Sequence, residues 1–161
     1  MTLSIRSARP GEAGLVLAFV RELAEYERLL DSVDATEESL AAALFGINAR
    51  LFCDIAEWQG EPAGFALWFL NYSSFRGRHG LYLEDLFVRP QFRRRGIGRA
   101  LFANLARRCV TEDWSRFEWA VLNWNKSSID FYKAMGAVVM DDWTICRLTG
   151  TALEHAADLG Q

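Results

Sequence analysis

The chain has 161 residues, 51% of them hydrophobic and 13% aromatic, enough for one domain with a sizeable core. Eighteen basic and 21 acidic residues leave a net charge of −3, which argues against general nucleic-acid binding. No apolar run approaches the ~20 residues of a membrane span, and the opening Met-Thr-Leu-Ser-Ile-Arg lacks a signal-peptide core. Cys53, Cys109 and Cys146 are odd in number and far apart, fitting neither zinc nor a disulfide framework. A reducing cytoplasm is the expected setting.

Thr2–Arg6 reads as a short strand. From Pro10 a helix follows, with Leu15, Val16, Phe19, Val20 and Leu23 at helical spacing and Tyr26 and Glu27 at its end. Thr36-Glu-Glu-Ser39 reads as a capped helix start, with Leu40, Ala43 and Leu44 as the apolar side. Arg50–Trp58 and Ala63–Asn71 read as strands joined by a hairpin at 59–62. Strand Tyr82–Arg89, helix Ile97–Thr111, strand Arg116–Leu122 and helix Ser127–Met135 come next. Val138–Met140 and Thr144–Leu148 are expected to close the sheet, and Thr151–Gln161 is expected to fray. With strands dominating the middle, the pattern predicts an α/β domain with a mixed, largely antiparallel sheet flanked by helices. No linker or repeat interrupts it, so residues 1–161 read as one domain.

The most informative stretch is Tyr82-Leu-Glu-Asp-Leu-Phe-Val-Arg-Pro-Gln-Phe-Arg-Arg-Arg-Gly-Ile-Gly-Arg-Ala-Leu101. A strand, a basic glycine turn and a helix N-terminus together make an anion site. Glycines admit close backbone approach, the helix end favours negative charge, and Arg93, Arg94, Arg95 and Arg99 supply positive charge. The backbone N–H groups of residues 94–99 are expected to do most of the binding, since exposed arginines add less. A solvated basic turn is the plainer alternative. The P-loop pattern is absent, and the dinucleotide fingerprint fails because Leu101 stands where its third glycine belongs.

What remains, an R-x-x-G-x-G turn after a strand, resembles the coenzyme A loop of the GCN5-related N-acetyltransferase superfamily. Val121-Leu-Asn-Trp-Asn-Lys-Ser-Ser-Ile-Asp-Phe-Tyr-Lys-Ala-Met-Gly136 resembles a later motif of the same superfamily. Glu22-Leu-Ala-Glu-Tyr-Glu27 and Tyr82-Leu-Glu-Asp85 are similar to its spermidine/spermine and thialysine acetyltransferase branch. The likeness runs from about residue 3 to about residue 149. It implies transfer of an acetyl group from acetyl-CoA to the amine of a small molecule, and a homodimer.

The resemblance also implies roles. By composition alone Tyr132 is a half-buried helical tyrosine; the resemblance makes it the general acid that protonates the leaving sulfur. Glu84 and Asp85 alternate on a strand and should face opposite sides. Two solvated carboxylates are the plain alternative, but Glu84 lies in an apolar run where an unpaired charge is costly. The resemblance makes Glu84 the general base, acting through water, with Asp85 as an amine-binding residue. Tyr26 and Glu27 read alone as a polar helix end; the resemblance sets them beside the amine. Leu86, Phe87, Val88, Arg93, Arg94, Arg95, Gly96, Ile97, Gly98, Arg99, Asn125 and Ser128 would hold the cofactor, although Asn125 also reads as a helix N-cap.

Polyamine-acetylating members of the branch carry an acid and a Trp in the loop before this strand. Here, at 71–80, there is no acid, Phe75 stands near the Trp position, and Arg76 and Arg78 bring positive charge. A lysine-like amine with its own carboxylate fits that balance better than spermidine. Acetylation of a polypeptide amine and a non-catalytic acyl-CoA-binding module are the competing classes. His79 and His155 lack neighbours at metal-ligand spacing and read as surface residues, and no metal is expected. Most of the six tryptophans read as core.

Overall fold

The computed structural model describes residues 2–160. The chain divides into two compact units, Met1–Ala120 and Val121–Gln161.

The first unit is built on a five-stranded sheet in the order β1 (Leu3–Ser7), β2 (Phe52–Trp58), β3 (Glu61–Ser73), β4 (Arg78–Val88) and β5 (Phe117–Trp119). The first four strands are antiparallel neighbours, and β5 runs parallel to β4. Tight hairpins suit the antiparallel pairs, whereas a parallel neighbour needs a crossover. Helix α3 (Ile97–Thr111) provides it.

Side-chain alternation splits the core in two. Cys53, Ile55, Phe65, Leu67 and Phe87 face α1 (Ala13–Tyr26) and α2 (Glu37–Phe45). On the other face Ala56, Ala66, Trp68, Leu81 and Leu83 pack on Ile97, Leu101 and Leu105 of α3. Phe19 stacks on Phe65 with ring centres 5.1 Å apart, and both are fully buried. Burial of each such side chain contributes roughly 1.5–3 kcal/mol.

Polar contacts tie the helices to the sheet. Arg89, just past β4, donates from Nε and Nη2 to both carboxylate oxygens of Glu22 on α1, at 2.9 and 2.8 Å. It also donates to the Pro62 carbonyl at 2.9 Å and lies 4.5 Å over the Phe19 ring. The planar guanidinium allows all of these contacts together. Beneath α3, the buried Asp54 of β2 accepts from Asn104 Nδ2 at 3.3 Å, with Arg108 at 3.5 Å. Burial pushes its carboxyl above the usual range, against the pull of Arg108. Cys53 and Cys109 are buried, and burial raises both thiols, Cys53 to about 12. Cys146 is exposed.

The second unit carries α4 (Lys126–Ala134) and α5 (Gly150–Ala157). Two expectations fail here. Val138–Met140 and Thr144–Leu148 form no strand, and Val138, Val139, Ile145 and Leu148 are exposed. A β-rich segment becomes a strand only when it has a ladder partner, and the described residues supply none. The tail does not fray at once, because Thr-Ala-Leu-Glu-His-Ala-Ala inside α5 is a run of mostly good helix formers. Of the six tryptophans only Trp68 is fully buried, and Trp124 and Trp143 are exposed.

Candidate active site

The glycine turn leads directly from β4 to α3. After a short 3-10 turn at Pro90–Phe92, the chain enters the left-handed region twice, at Arg94 (φ 63°) and Gly96 (φ 77°). Such reversals turn backbone N–H groups into a concavity suited to an anion. Gly96 is the N-cap of α3, and among the described residues no side chain caps the helix and no acid stands in its first turn. The N–H groups at that end therefore remain available to an outside acceptor. Ile97, 1% exposed, anchors the turn in the core.

Gly98 is informative because the chain itself does not need it. Its φ is ordinary, and a Cβ there would meet only Val88 Cγ2, at 3.8 Å. Glycine inside a helix costs about 1 kcal/mol relative to alanine. Room kept open at that cost suits a ligand that approaches the backbone closely. These donors fit a pyrophosphate.

The three arginines of the turn divide their work. Arg93 folds back: its Nε donates to the Val88 carbonyl at 3.0 Å, and its guanidinium lies 5.0 Å from the Tyr26 ring and 5.6 Å from that of Phe87. Arg95 lies 5.2 Å over Trp58. All three are exposed, and so is Arg99 in the first turn of α3.

Strand β4 is irregular where the carboxylates stand. Leu67 of β3 pairs with Asp85 and Trp68 with Leu83, so Glu84 is an inserted residue without a partner. A bulge of this kind re-aims side chains. The carboxylate withdrawn from water is consequently Asp85: Glu84 is exposed and Asp85 partly buried. That reverses the burial expected from the apolar run. Burial, then the charges of Glu84 and Glu27, push the Asp85 carboxyl up to about 7. Burial also raises Glu27, at the end of α1. Strict alternation of single residues hides a bulge, because a bulge is a mismatch between two strands.

Beyond the bulge the sheet opens. β5 pairs with β4 only across Leu81, Tyr82 and Leu83. Among the described residues no strand lies against Leu86, Phe87 and Val88 on that side. A strand edge of this kind presents amide groups to an extended, amide-bearing chain.

In the second unit, buried Asn125 caps α4, its Oδ1 accepting from the Ser128 backbone N–H at 3.2 Å. The plain reading of Asn125 thus holds, and Ser128 is tied to it. Tyr132 is half-buried on α4, edge-on to Phe131 at 5.3 Å.

The loop arginines do not reach the carboxylates. Arg78 donates to Asp113 at 2.6 Å. It begins β4, seven residues before Asp85, which at ~3.3 Å per residue is roughly 23 Å along the strand. Within the chain, that distance and the Asp113 pairing keep Arg78 away from the Asp85 carboxyl.

The chain belongs to the acetyltransferase (GNAT) family, whose model matches residues 18–137. It is 39% identical to a thialysine N-epsilon-acetyltransferase of Sus scrofa, covering 95% of this chain and 96% of that one. It is 32% identical to an L-ornithine N5-acetyltransferase of Arabidopsis thaliana, covering 93% and 86%. Among solved structures, an integron cassette protein from the mobile metagenome of V. cholerae superposes with a TM-score of 0.81 at 26% identity, covering 98% of this chain and 99% of that one.

Proposed function

We propose that this acetyltransferase moves an acetyl group from acetyl-CoA to a primary amine of a lysine-like amino acid, thialysine and ornithine included. The observation that carries this reading is the Glu27, Glu84 and Asp85 cluster, in which burial and then the charges of Glu84 and Glu27 raise the Asp85 carboxyl. Such a cluster favours a cation. Relatives that act on thialysine and ornithine support an amino-acid amine.

Acetyl-CoA, the usual donor of the family, supplies an acetyl thioester when bound. The backbone of residues 94–99 holds its pyrophosphate, with Arg94, Arg95 and Arg99 adding positive charge. The β4 edge at Leu86–Val88 takes the amide-bearing arm. Asn125 and Ser128 are assigned to the cofactor separately, on the second unit. Tyr26 and Glu27 wall the amine site. A free alkylamine is protonated at neutral pH, with a pKa near ~10, so a carboxylate of the Glu84–Asp85 pair removes a proton before attack. Tyr132 keeps its hydroxyl proton for the departing sulfur. A homodimer belongs to this reading, and light scattering at twice the 18.3 kDa chain mass checks it.

The test is thiol release from acetyl-CoA with lysine, thialysine, ornithine, spermidine and a lysine-containing peptide. Higher kcat/KM for the three amino acids supports the proposal. A preference for spermidine or for the peptide overturns it.

A further inference from the structure

The functional proposal leaves two adjacent carboxylates for one proton, and the geometry of β4 separates them. Regular alternation would put Asp85 and Leu83 on one face. The inserted Glu84 breaks that parity, because Leu67 pairs with Asp85 while Trp68 pairs with Leu83. Asp85 therefore shares the face of Leu67 and Phe87, toward α1, and Leu83 shares the face of Trp68, toward α3.

The surroundings of Asp85 can be named element by element. Just past α1 comes Glu27, from β2 Cys53, whose buried thiol feels the Asp85 charge, from β3 the apolar Leu67, and from β4 itself Glu84 and Phe87. The nearby cation of the turn, Arg93, is engaged with the rings of Tyr26 and Phe87 and with the Val88 carbonyl. Among the described residues no side chain hydrogen-bonds or ion-pairs with Asp85, and none does so with Glu84. Their difference is solvent: water screens the exposed Glu84, while Asp85 is withdrawn from it. A desolvated carboxylate beside two others, without a cation, gains most from receiving a proton.

We propose that Asp85, rather than Glu84, accepts the proton of the acceptor ammonium. This rests on the amine-acetyltransferase reading above. An ordinary Asp lies about six units below an alkylammonium. With the Asp85 carboxyl at about 7 the gap falls to about three, a thousandfold easier transfer. The balance closes. Asp85 takes one ammonium proton and passes it to solvent between turnovers. The nitrogen lone pair forms the C–N bond as the C–S bond breaks, a second nitrogen proton is lost as the amide forms, and the released thiol carries one proton. One proton in all reaches solvent.

The experiment compares wild type, Asp85→Asn and Glu84→Gln by the pH profile of kcat/KM for a lysine-like amine. It is paired with carbon NMR titration of the side-chain carboxyls in the unliganded protein. Wild type should show an acid limb near pH 7 and one carboxyl titrating there. Asp85→Asn should lose both and fall by roughly 10²–10⁴-fold. Glu84→Gln should keep the limb and move it, with the carboxyl, to lower pH, since one of the charges that raise Asp85 is gone. An Asp85→Asn enzyme that keeps its limb, a Glu84→Gln enzyme that loses it, or an Asp85 carboxyl titrating near 4 overturns the assignment. A wild type that acetylates no amine overturns the functional reading and this role together. An active wild type with Asp85→Asn unimpaired overturns the role alone.

Discussion

The guanidinium of Arg93 lies 5.0 Å from the centre of the Tyr26 ring, so the glycine turn and the end of α1 are held by one side chain. The same group reaches Phe87 at 5.6 Å and the Val88 carbonyl at 3.0 Å. A cation–π contact at an exposed site contributes about 0.5–1 kcal/mol and a net hydrogen bond about 1 kcal/mol. Arg93→Ala should therefore cost about 1–2 kcal/mol, lowering Tm by a few degrees. Arg93→Lys should recover little, since an ammonium cannot lie flat across two rings. Thermal melts of both variants check this, and full recovery by Lys would refute the stacking argument.

Gly98→Ala separates stability from binding. The new Cβ meets only Val88 at 3.8 Å, and alanine is the better helix former by up to about 1 kcal/mol. The variant should melt at or above wild type while CoA affinity, read by calorimetry, falls. Unchanged affinity would remove the case for close ligand approach there. Gly96 tests differently, because its positive φ strains any side chain.

Tyr132→Phe keeps the ring beside Phe131 and removes the hydroxyl. With Tyr132 as proton donor, kcat should drop by roughly 10²–10⁴ with little change in CoA affinity. Turnover at the wild-type rate would rule the role out.

Asp85 should also mark the stability curve. Its folded carboxyl, at about 7, lies above its unfolded value of ~3.9. Between those values the folded chain binds more protons than the unfolded one, so this group makes stability fall as pH rises toward 7. Asp85→Asn should melt higher than wild type at pH 8, and the difference should shrink below pH 5. Melts at both pH values decide it, and a variant less stable at pH 8 would contradict the burial of an unpaired charge.

Because Arg78 is paired with Asp113 and stands roughly 23 Å from Asp85 by strand count, the double change Arg76→Ala with Arg78→Ala should leave the ratio of kcat/KM for lysine over spermidine unaltered. A ratio that falls several-fold would return those arginines to the substrate site.

Much of this architecture is legible in the chain. Helix α3 begins at Ile97 and ends at Thr111, as the glycine turn and apolar spacing predict. Thr36 and Ser39 form the reciprocal cap that their spacing implies. Both features depend on residues a few positions apart. What escapes depends on partners far along the chain. The bulge at Glu84 exists only against β3, and the neutralisation of Arg78 comes from Asp113. The segments at 138–140 and 144–148 have strand composition but no ladder partner among the described residues. The shape of the glycine turn is legible because it is made by the backbone of consecutive residues. The carboxylate cluster was readable in membership only, since solvent exposure decides which acid differs from the others.

The unequal burial of the three cysteines makes this protein its own labelling reagent. With Cys53 and Cys109 inside the core and their thiols raised, an alkylating dye or disulfide probe meets one reactive sulfur, Cys146. A spectroscopic reporter can be fixed on the second unit without first removing the other thiols. The same sulfur adds one equivalent of background to any colorimetric measure of released thiol, and Cys146→Ser clears it.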